Sequence, residues 1–167
     1  MHPANKWLLG TASAALLAGV TALEGTRYYA YLDIGGVPTV CQGYIGTPTD
    51  KIVMGKKYSP EECLTYTTTA LKTYGEAVLG CIKRPMQERH YNAFTLMAYN
   101  VGSNGFCNSR AAKLFNAGET AAACKAMAFG PKNEPVWAYV KGKFVQGLHK
   151  RRLLESQICL GAPDAAS

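Results

Sequence analysis

The hydrophobic pattern of the chain begins with an uncharged segment, Trp7 to Leu23, which Lys6 precedes and Glu24 follows. Leucine, valine and tryptophan alternate there with alanine, glycine, threonine and serine, so the segment is only moderately apolar. As a helix it would be about 25 Å long, against a hydrocarbon core of about 30 Å. We therefore predict a helix, continuing to about Tyr28, that enters a bilayer but is held there weakly.

This segment has three interpretations, all of which imply export. It is a cleaved signal peptide if the small residues of Val20-Thr21-Ala22 mark a cleavage site. A permanent transmembrane anchor is disfavoured by the length and by the small and hydroxylated residues. The third interpretation is an uncleaved segment that enters the membrane and later leaves it, which low hydrophobicity permits.

The pattern then changes period. Aromatic and β-branched residues between Tyr29 and Cys41 surround the turn sequence DIGGVP, which predicts a hairpin or a small sheet. After an irregular stretch, Ser59, Pro60 and Glu62 form a capping box that starts a helix running to about Tyr74.

The remainder of the chain has mostly helical periodicity. One helix follows Pro85 and stops at Gly102, and shorter helices are expected after it. Those shorter helices cover residues 108–117, 119–128, 134–140 and 146–158. The predicted fold class is α+β and mostly α, with residues 24–160 forming one unit.

Composition limits the function classes. A chain of 167 residues with 48% hydrophobic content suits about one folded domain. Its 18 Lys and Arg against 11 Asp and Glu give a net charge of +7 and favour an anionic partner. Because these basic residues accompany an export segment, a wall polymer or a membrane surface fits better than nucleic acid.

The cysteines indicate an oxidising compartment. None of the six lies in a short Cys-x-x-Cys knuckle, which argues against zinc, and an even number suggests three disulfides. Spacing alone leaves the connectivity open. We expect pairing in chain order, namely Cys41–Cys63, Cys81–Cys107 and Cys124–Cys159.

Three residues near the hairpin form a candidate catalytic group. Glu24 closes the apolar helix, where Val20 lies one turn back, and an apolar environment would keep its carboxyl protonated as a general acid requires. Asp33 lies near the turn and should remain ionised, so that it positions a water molecule, which Thr39 would hold. We predict a three-residue loop from Gly35 to Val37, which places Asp33 directly across from Thr39.

The order of these residues resembles the T-even phage lysozyme family, glycoside hydrolase family 24. The spacing of Glu24, Asp33 and Thr39 matches the catalytic pattern of that family. Two further blocks are similar to the family's helical-lobe sequences, Tyr99 to Gly118 and Trp137 to Gly161. The resemblance covers nearly the whole chain and is strongest to lambdoid-phage endolysins with a signal-arrest-release segment.

The resemblance implies a lysozyme-like fold, with a small β lobe, a helical lobe and an N-terminal helix from the export segment. It also implies hydrolysis, with inversion, of the β-1,4 bond between N-acetylmuramic acid and N-acetylglucosamine in peptidoglycan. Glu24 would protonate the glycosidic oxygen, and Asp33 and Thr39 would act on the attacking water. No metal and no organic cofactor is expected.

The chain also departs from the family pattern. Many relatives have an aromatic residue before the threonine and a histidine soon after it, where this chain has Pro38 and Tyr44. We expect Tyr28, Tyr31 and Tyr44 to contact substrate, because these tyrosines lie close to the candidate catalytic residues in sequence.

The resemblance favours the third interpretation of the apolar segment. Residues 1–23 would tether the exported enzyme to the inner membrane until a phage holin depolarises it, and residues 24–167 would then act in the periplasm as a monomer. Cleavage after Ala22 would remove the helix that holds Glu24. Residues 1–40 contain no cysteine, so the enzyme cannot be activated by exchange of a disulfide onto this segment.

Two other functions remain as alternatives. A lytic transglycosylase also acts on peptidoglycan and needs one catalytic glutamate, which Glu24 would supply. From a different class, a catalytically inactive protein anchored in the membrane would bind the cell wall through its positive charge.

Overall fold

The structure, a computed structural model, describes residues 1–8, 14–33, 35–47 and 50–161. Its contacts divide the chain into an N-terminal unit, Ala12–Lys72, and a helical unit formed by Met1–Thr11 with Thr73–Ser167. Each unit has its own buried residues and at least one disulfide, and the single unit expected over residues 24–160 stays a prediction. The expected division after residue 23 stays a prediction.

The N-terminal unit begins with helix α1, Ala14–Glu24, followed by strands β1, Arg27–Leu32, and β2, Pro38–Cys41. The strands pair antiparallel, which confirms the predicted hairpin. Helix α1 ends at Glu24, so the prediction that it continues to Tyr28 is wrong. The cause is Gly25, whose φ of +65° lies in the left-handed region that terminates helices.

Helix α2, Pro60–Cys81, starts where its capping box predicts. The backbone amide of Glu62 donates to Ser59 Oγ at 3.1 Å, and the backbone amide of Ser59 donates to Glu62 Oε2 at 2.7 Å. The buried side chain of Cys63 anchors the first turn to the N-terminal unit. Local sequence therefore sets this helix start.

The end of α2 lies beyond the predicted end near Tyr74, and the helix continues into the helical unit. Gly75 does not break it, because this glycine lies directly against the hydroxyl end of the buried Tyr91 side chain. The glycine serves close packing within the helical unit.

The helical unit contains an N-terminal 3₁₀ helix and most of the α-helices. Ten consecutive residues of one helix, His90 to Tyr99, are buried, as expected for a helix surrounded on all sides by a core. The elements are the 3₁₀ helix Pro3–Leu8 and helices α3 Glu88–Val101, α4 Ser103–Cys107, α5 Arg110–Asn116, α6 Thr120–Lys125 and α7 Gln146–Leu160. Helix α3 packs against α4 and α7.

The predicted helix over residues 134–140 is wrong. The chain there forms strand β3, Tyr139–Val140, which pairs with β4, Lys143–Phe144, across a two-residue turn. Both turn residues, Lys141 and Gly142, have positive φ, which matches the twist of a tight hairpin. Trp137 also has a positive φ of 56°, which is incompatible with a continuous helix.

All six cysteines form disulfides in the expected chain order, which confirms the predicted pairing. Cys41–Cys63 joins the end of β2 to the first turn of α2 within the N-terminal unit. Cys81–Cys107 and Cys124–Cys159 lie in the helical unit and join α2 to α4 and α6 to α7.

A buried ion-pair group ties α7 to α3. Glu155 Oε1 accepts from Arg151 Nε at 3.0 Å and from Arg152 Nη2 at 2.8 Å, and all three side chains are almost fully buried. Arg152 Nη2 also donates to Asn100 Oδ1 at 3.0 Å. Because an unpaired charge is costly to bury, loss of Glu155 would destabilise the helical unit strongly.

The structure confirms the α+β class, mostly helical with two small antiparallel sheets among the described residues. Residues 9–13 of the apolar segment lie outside the described residues. In the part of the chain that the structure describes, no helix has the length and apolar character needed to cross a membrane.

Candidate active site

Glu24 is placed at the C-terminus of helix α1 by burial of the helix behind it. Leu16 and Val20, two turns and one turn earlier, are fully buried, and Glu24 itself is half-buried. The backbone amide of Gly25 donates to Thr21 O at 2.9 Å and closes the last turn. The carboxyl therefore extends from a rigid helix end within the N-terminal unit.

The hairpin register differs from the predicted one. Tyr31 lies opposite Thr39 and Leu32 opposite Pro38, and the amide of Asp33 donates to Val37 O at 3.0 Å. Asp33 is therefore paired with Val37, so the predicted direct pairing of Asp33 with Thr39 is wrong. Residues two apart on a strand share a face, so Asp33 and Thr39 become diagonal neighbours on one side of the hairpin.

The side chain of Asp33 explains this register. Its Oδ1 accepts hydrogen bonds from the backbone amides of Gly35 and Val37, each at 2.8 Å. These two bonds close the turn one residue earlier than a loop from Gly35 to Val37 would. Among the described residues, none donates a hydrogen bond to Asp33 Oδ2. One carboxylate oxygen therefore holds the turn and the other is left for a water or ligand.

Val37 connects the two hairpin residues of the candidate site. Its amide donates to Asp33 Oδ1, and its carbonyl accepts from Thr39 Oγ1 at 2.9 Å. Thr39 is 3% exposed, so its hydroxyl is held in one orientation and keeps lone pairs that can accept from a water. The backbone of one residue thus positions both side chains.

The hydroxyl of Tyr31, on strand β1, is influenced by charges on both the hairpin and the end of helix α1. Burial raises the pKa of the Tyr31 hydroxyl, the charge of Arg27 opposes this, and the negative charges of Glu24 and Asp33 add to the increase. The Tyr31 hydroxyl therefore lies within electrostatic range of both carboxyl groups.

Arg27 is the residue of this region that sequence reasoning missed. Its guanidinium carbon lies 4.4 Å from the centroid of the Tyr31 ring, which is a cation–π contact. The available signal was a single basic residue, three positions after Glu24, in an aromatic stretch.

The other two predicted substrate residues lie in different surroundings. Tyr28 is 39% exposed and lines a cavity of about 570 Å³ between α1 and the start of α2. Tyr44 is buried, stacks on Tyr66 with centroids 4.5 Å apart, and donates a hydrogen bond to Asp50 Oδ2 at 3.2 Å. Burial, with the carboxylate of Asp50, raises the pKa of Tyr44 to about 12.

Tyr44 therefore packs inside the N-terminal unit. Its predicted substrate contact stays a prediction. Within the described ranges, no group of three or more His, Cys, Asp or Glu side chains is arranged to hold a metal ion.

Comparison with known proteins gives consistent results. The model of the phage lysozyme family matches residues 21–155 of the chain. A SAR-endolysin of Pseudomonas phage phiKMV is 40% identical over 93% of this chain and 92% of its own length. A SAR-endolysin of Enterobacteria phage P21 is 34% identical over 86% of this chain and 81% of its own length.

Solved structures show the same relationship. An endolysin from Escherichia coli O157:H7 phage FAHEc1 superimposes with a TM-score of 0.79 at 29% identity, and the match covers 92% of this chain and 95% of that one. With the family match over most of the sequence, this likeness extends from the hairpin to the C-terminal helices. The chain belongs to the phage lysozyme family and to its SAR-endolysin subgroup, and it is a lysozyme, a hydrolase of glycosidic bonds.

Proposed function

We propose that this lysozyme is a phage endolysin that hydrolyses the β-1,4 bond between N-acetylmuramic acid and N-acetylglucosamine in peptidoglycan. Glu24 is the general acid that protonates the glycosidic oxygen. Asp33 and Thr39 hold the attacking water on the other face of the sugar ring, and the reaction inverts the anomeric centre. The observation that carries the proposal is the common anchoring of Asp33 and Thr39 on Val37.

The hydrogen-bond chemistry of the hairpin supports the role given to the water. A water molecule can donate one hydrogen to Thr39 Oγ1 and the other to Asp33 Oδ2, which directs its lone pair outward. Since both side chains are held by the backbone of Val37, the water would be oriented before substrate arrives. Asp33 then accepts a proton from the water as it attacks.

Substrate binding is assigned to Tyr28, Tyr31 and Tyr44, the first two by direct contact. Tyr31 is best supported, because it lies across from Thr39 and within electrostatic range of both carboxyl groups. The exposed ring of Tyr28 offers an apolar face to a sugar. Tyr44 would act from a buried position, by holding the loop after β2 in place.

The regulatory part of the proposal concerns the N-terminus. Residues 7–23 tether the exported enzyme to the inner membrane in an inactive state, and depolarisation by a holin releases it into the periplasm as a monomer. The relatives named SAR-endolysins support this. The placement of Glu24 at the end of α1 also supports the proposed tether, since α1 cannot hold Glu24 beside the hairpin while α1 lies in lipid.

Analysis of the products tests the reaction. Purified peptidoglycan is digested, and the muropeptides are examined by mass spectrometry and early-time proton NMR. The proposal predicts products that contain the added water, with the α-anomer formed first. Anhydro products would instead identify a lytic transglycosylase, and binding without product would identify a non-catalytic wall-binding protein.

The N-terminal sequence of the active, released protein tests the tether. A start at Met1 is expected, whereas a start at Leu23 would show cleavage and refute release. Substituting leucine for Gly10, Ser13 and Gly19 together should strengthen retention in the membrane and delay lysis. Unchanged timing of lysis would contradict the proposed release.

A further inference from the structure

The first residues of the chain make a specific contact that the catalytic proposal does not use. Asn5, in the 3₁₀ helix, is fully buried in the helical unit. Its Nδ2 donates to the carbonyl of Arg84 at 2.9 Å, and its Oδ1 accepts from the amide of Met86 at 2.8 Å. One side-chain amide thus joins the N-terminus to backbone about 80 positions away.

The partners of Asn5 lie in the connection between α2 and α3. This stretch has no helix or strand of its own, so the carbonyl of Arg84 and the amide of Met86 need partners from elsewhere. A buried backbone group without a partner is costly, and Met86 itself is buried. The side-chain amide of Asn5 pairs with both groups at once, as a backbone peptide unit would.

Leu8 extends this contact by one turn. In a 3₁₀ helix, residues three positions apart lie on the same side, so Asn5 and Leu8 share a face. Leu8 is 1% exposed, whereas Trp7 is 57% exposed and Lys6 is exposed. The short helix therefore has one face that packs and one face in solvent, as a docking segment should.

This contact is incompatible with a tethered enzyme. Lys6 lies on the N-terminal side of the apolar segment and Glu24 on the other, an orientation that leaves the first residues in the cytoplasm. The surface around Arg84 and Met86 would then lie on the opposite side of the bilayer. Asn5 can reach its partners only after the apolar segment has left the membrane.

We propose that Pro3–Leu8 is a docking segment and that the α2–α3 connection around Arg84–Met86 is its binding surface, so that docking retains the released enzyme in its active state. The inference rests on the proposed tether and release. An apolar segment of low hydrophobicity can re-enter a bilayer, and every hydrogen bond made only outside the membrane shifts that equilibrium towards release. Docking of the N-terminus makes release effectively one-way.

Hydrogen exchange on the full-length protein in detergent-free buffer tests the contact. The amide of Met86 should be protected in the wild type, and Asn5→Ser should raise its exchange rate by roughly tenfold or more. Ala4→Ser is the matched control, because it places the same residue one position away on an exposed site. Equal exchange in the wild type and in Asn5→Ser would refute the docking contact.

A release assay tests the consequence. The full chain is expressed without other phage proteins, the membrane is depolarised with an ionophore, and soluble and membrane fractions are followed with time. Asn5→Ser should leave the membrane at the wild-type rate, but once the potential recovers it should return to the membrane fraction roughly tenfold faster than the wild type. Ala4→Ser should behave like the wild type.

The two levels of the proposal fail in different ways. If Asn5→Ser stays soluble as long as the wild type after the potential recovers, the docking role is wrong while the tether stands. If the wild type lyses cells while it still sediments with membranes, the proposed tether itself is wrong.

Discussion

Asp33 has a structural and a chemical role in this account, and two substitutions separate them. Asp33 Oδ1 accepts two backbone hydrogen bonds that close the hairpin turn, at 2.8 Å each. Asp33→Ala removes both bonds and the charge. Asp33→Asn keeps a carbonyl oxygen in the same place, so it retains both bonds in neutral form and removes only the charge.

The expected magnitudes follow from these bonds. Hydrogen bonds to a charged acceptor contribute about 1.5–3 kcal/mol each when buried, and less in a half-exposed turn, so Asp33→Ala should lower the free energy of unfolding by about 2–4 kcal/mol. Asp33→Asn should lower it by about 1–2 kcal/mol, since neutral bonds remain. Both variants should lose roughly 10²–10⁴-fold in catalytic rate, because neither can accept a proton from the water.

Urea unfolding followed by circular dichroism measures the stability, and release of soluble muropeptides from purified peptidoglycan measures the rate. If Asp33→Asn destabilises the protein as much as Asp33→Ala, the two hydrogen bonds do not hold the turn. If Asp33→Asn keeps the wild-type rate, the carboxylate has no part in the chemistry.

Two further predictions concern packing and pH. Gly75→Ala should destabilise the protein by about 1–3 kcal/mol in urea unfolding, because the added methyl group would collide with the Tyr91 hydroxyl. Gly80→Ala is the control in the same helix, because nothing lies within 4 Å of the added methyl group, and it should stabilise the protein by about 1 kcal/mol. Equal effects would contradict the packing. Burial, with the charge of Arg89, lowers the pKa of His90 from 6.5 to about 4, so protonation favours the unfolded chain and stability should fall as pH decreases from 6.5 to 4. His90→Gln should lack this part of the decrease in melting temperature, and parallel curves for the two proteins would refute it.

The predictable features of the chain are those that depend on nearby residues. The start of α2 followed from Ser59 and Glu62, which bond to each other across one turn. The hairpin between Arg27 and Cys41 followed from its aromatic residues and its two glycines. The family was identified from the spacing of Glu24, Asp33 and Thr39 together with two further sequence blocks, all of which can be read from the sequence itself.

Features decided by side-chain contacts outside a recognised sequence motif were predicted wrongly. Sequence spacing suggested that Asp33 would pair with Thr39, but its carboxylate bonds to the turn amides and shifts the register. The helix predicted to end near Tyr74 continues through Gly75, which lies against the Tyr91 hydroxyl because it has no side chain. In each case the deciding interaction involves a particular side chain, which hydrophobic periodicity does not report.

The contact made by Asn5 was even less predictable from the sequence. Nothing in the local sequence distinguishes Asn5 from an exposed polar residue ahead of an apolar segment. Its burial depends on backbone groups about 80 positions away, whose lack of partners is evident only once the fold is known.

The rate of muropeptide release by Glu24→Gln, relative to the wild type on the same purified peptidoglycan, tests the central assignment most directly. The substitution keeps the size of the side chain and removes the proton that the leaving oxygen needs. We predict a loss of roughly 10³-fold or more, with the free energy of unfolding changed by less than about 1 kcal/mol. A variant that keeps more than about one tenth of the wild-type rate would show that Glu24 is not the general acid.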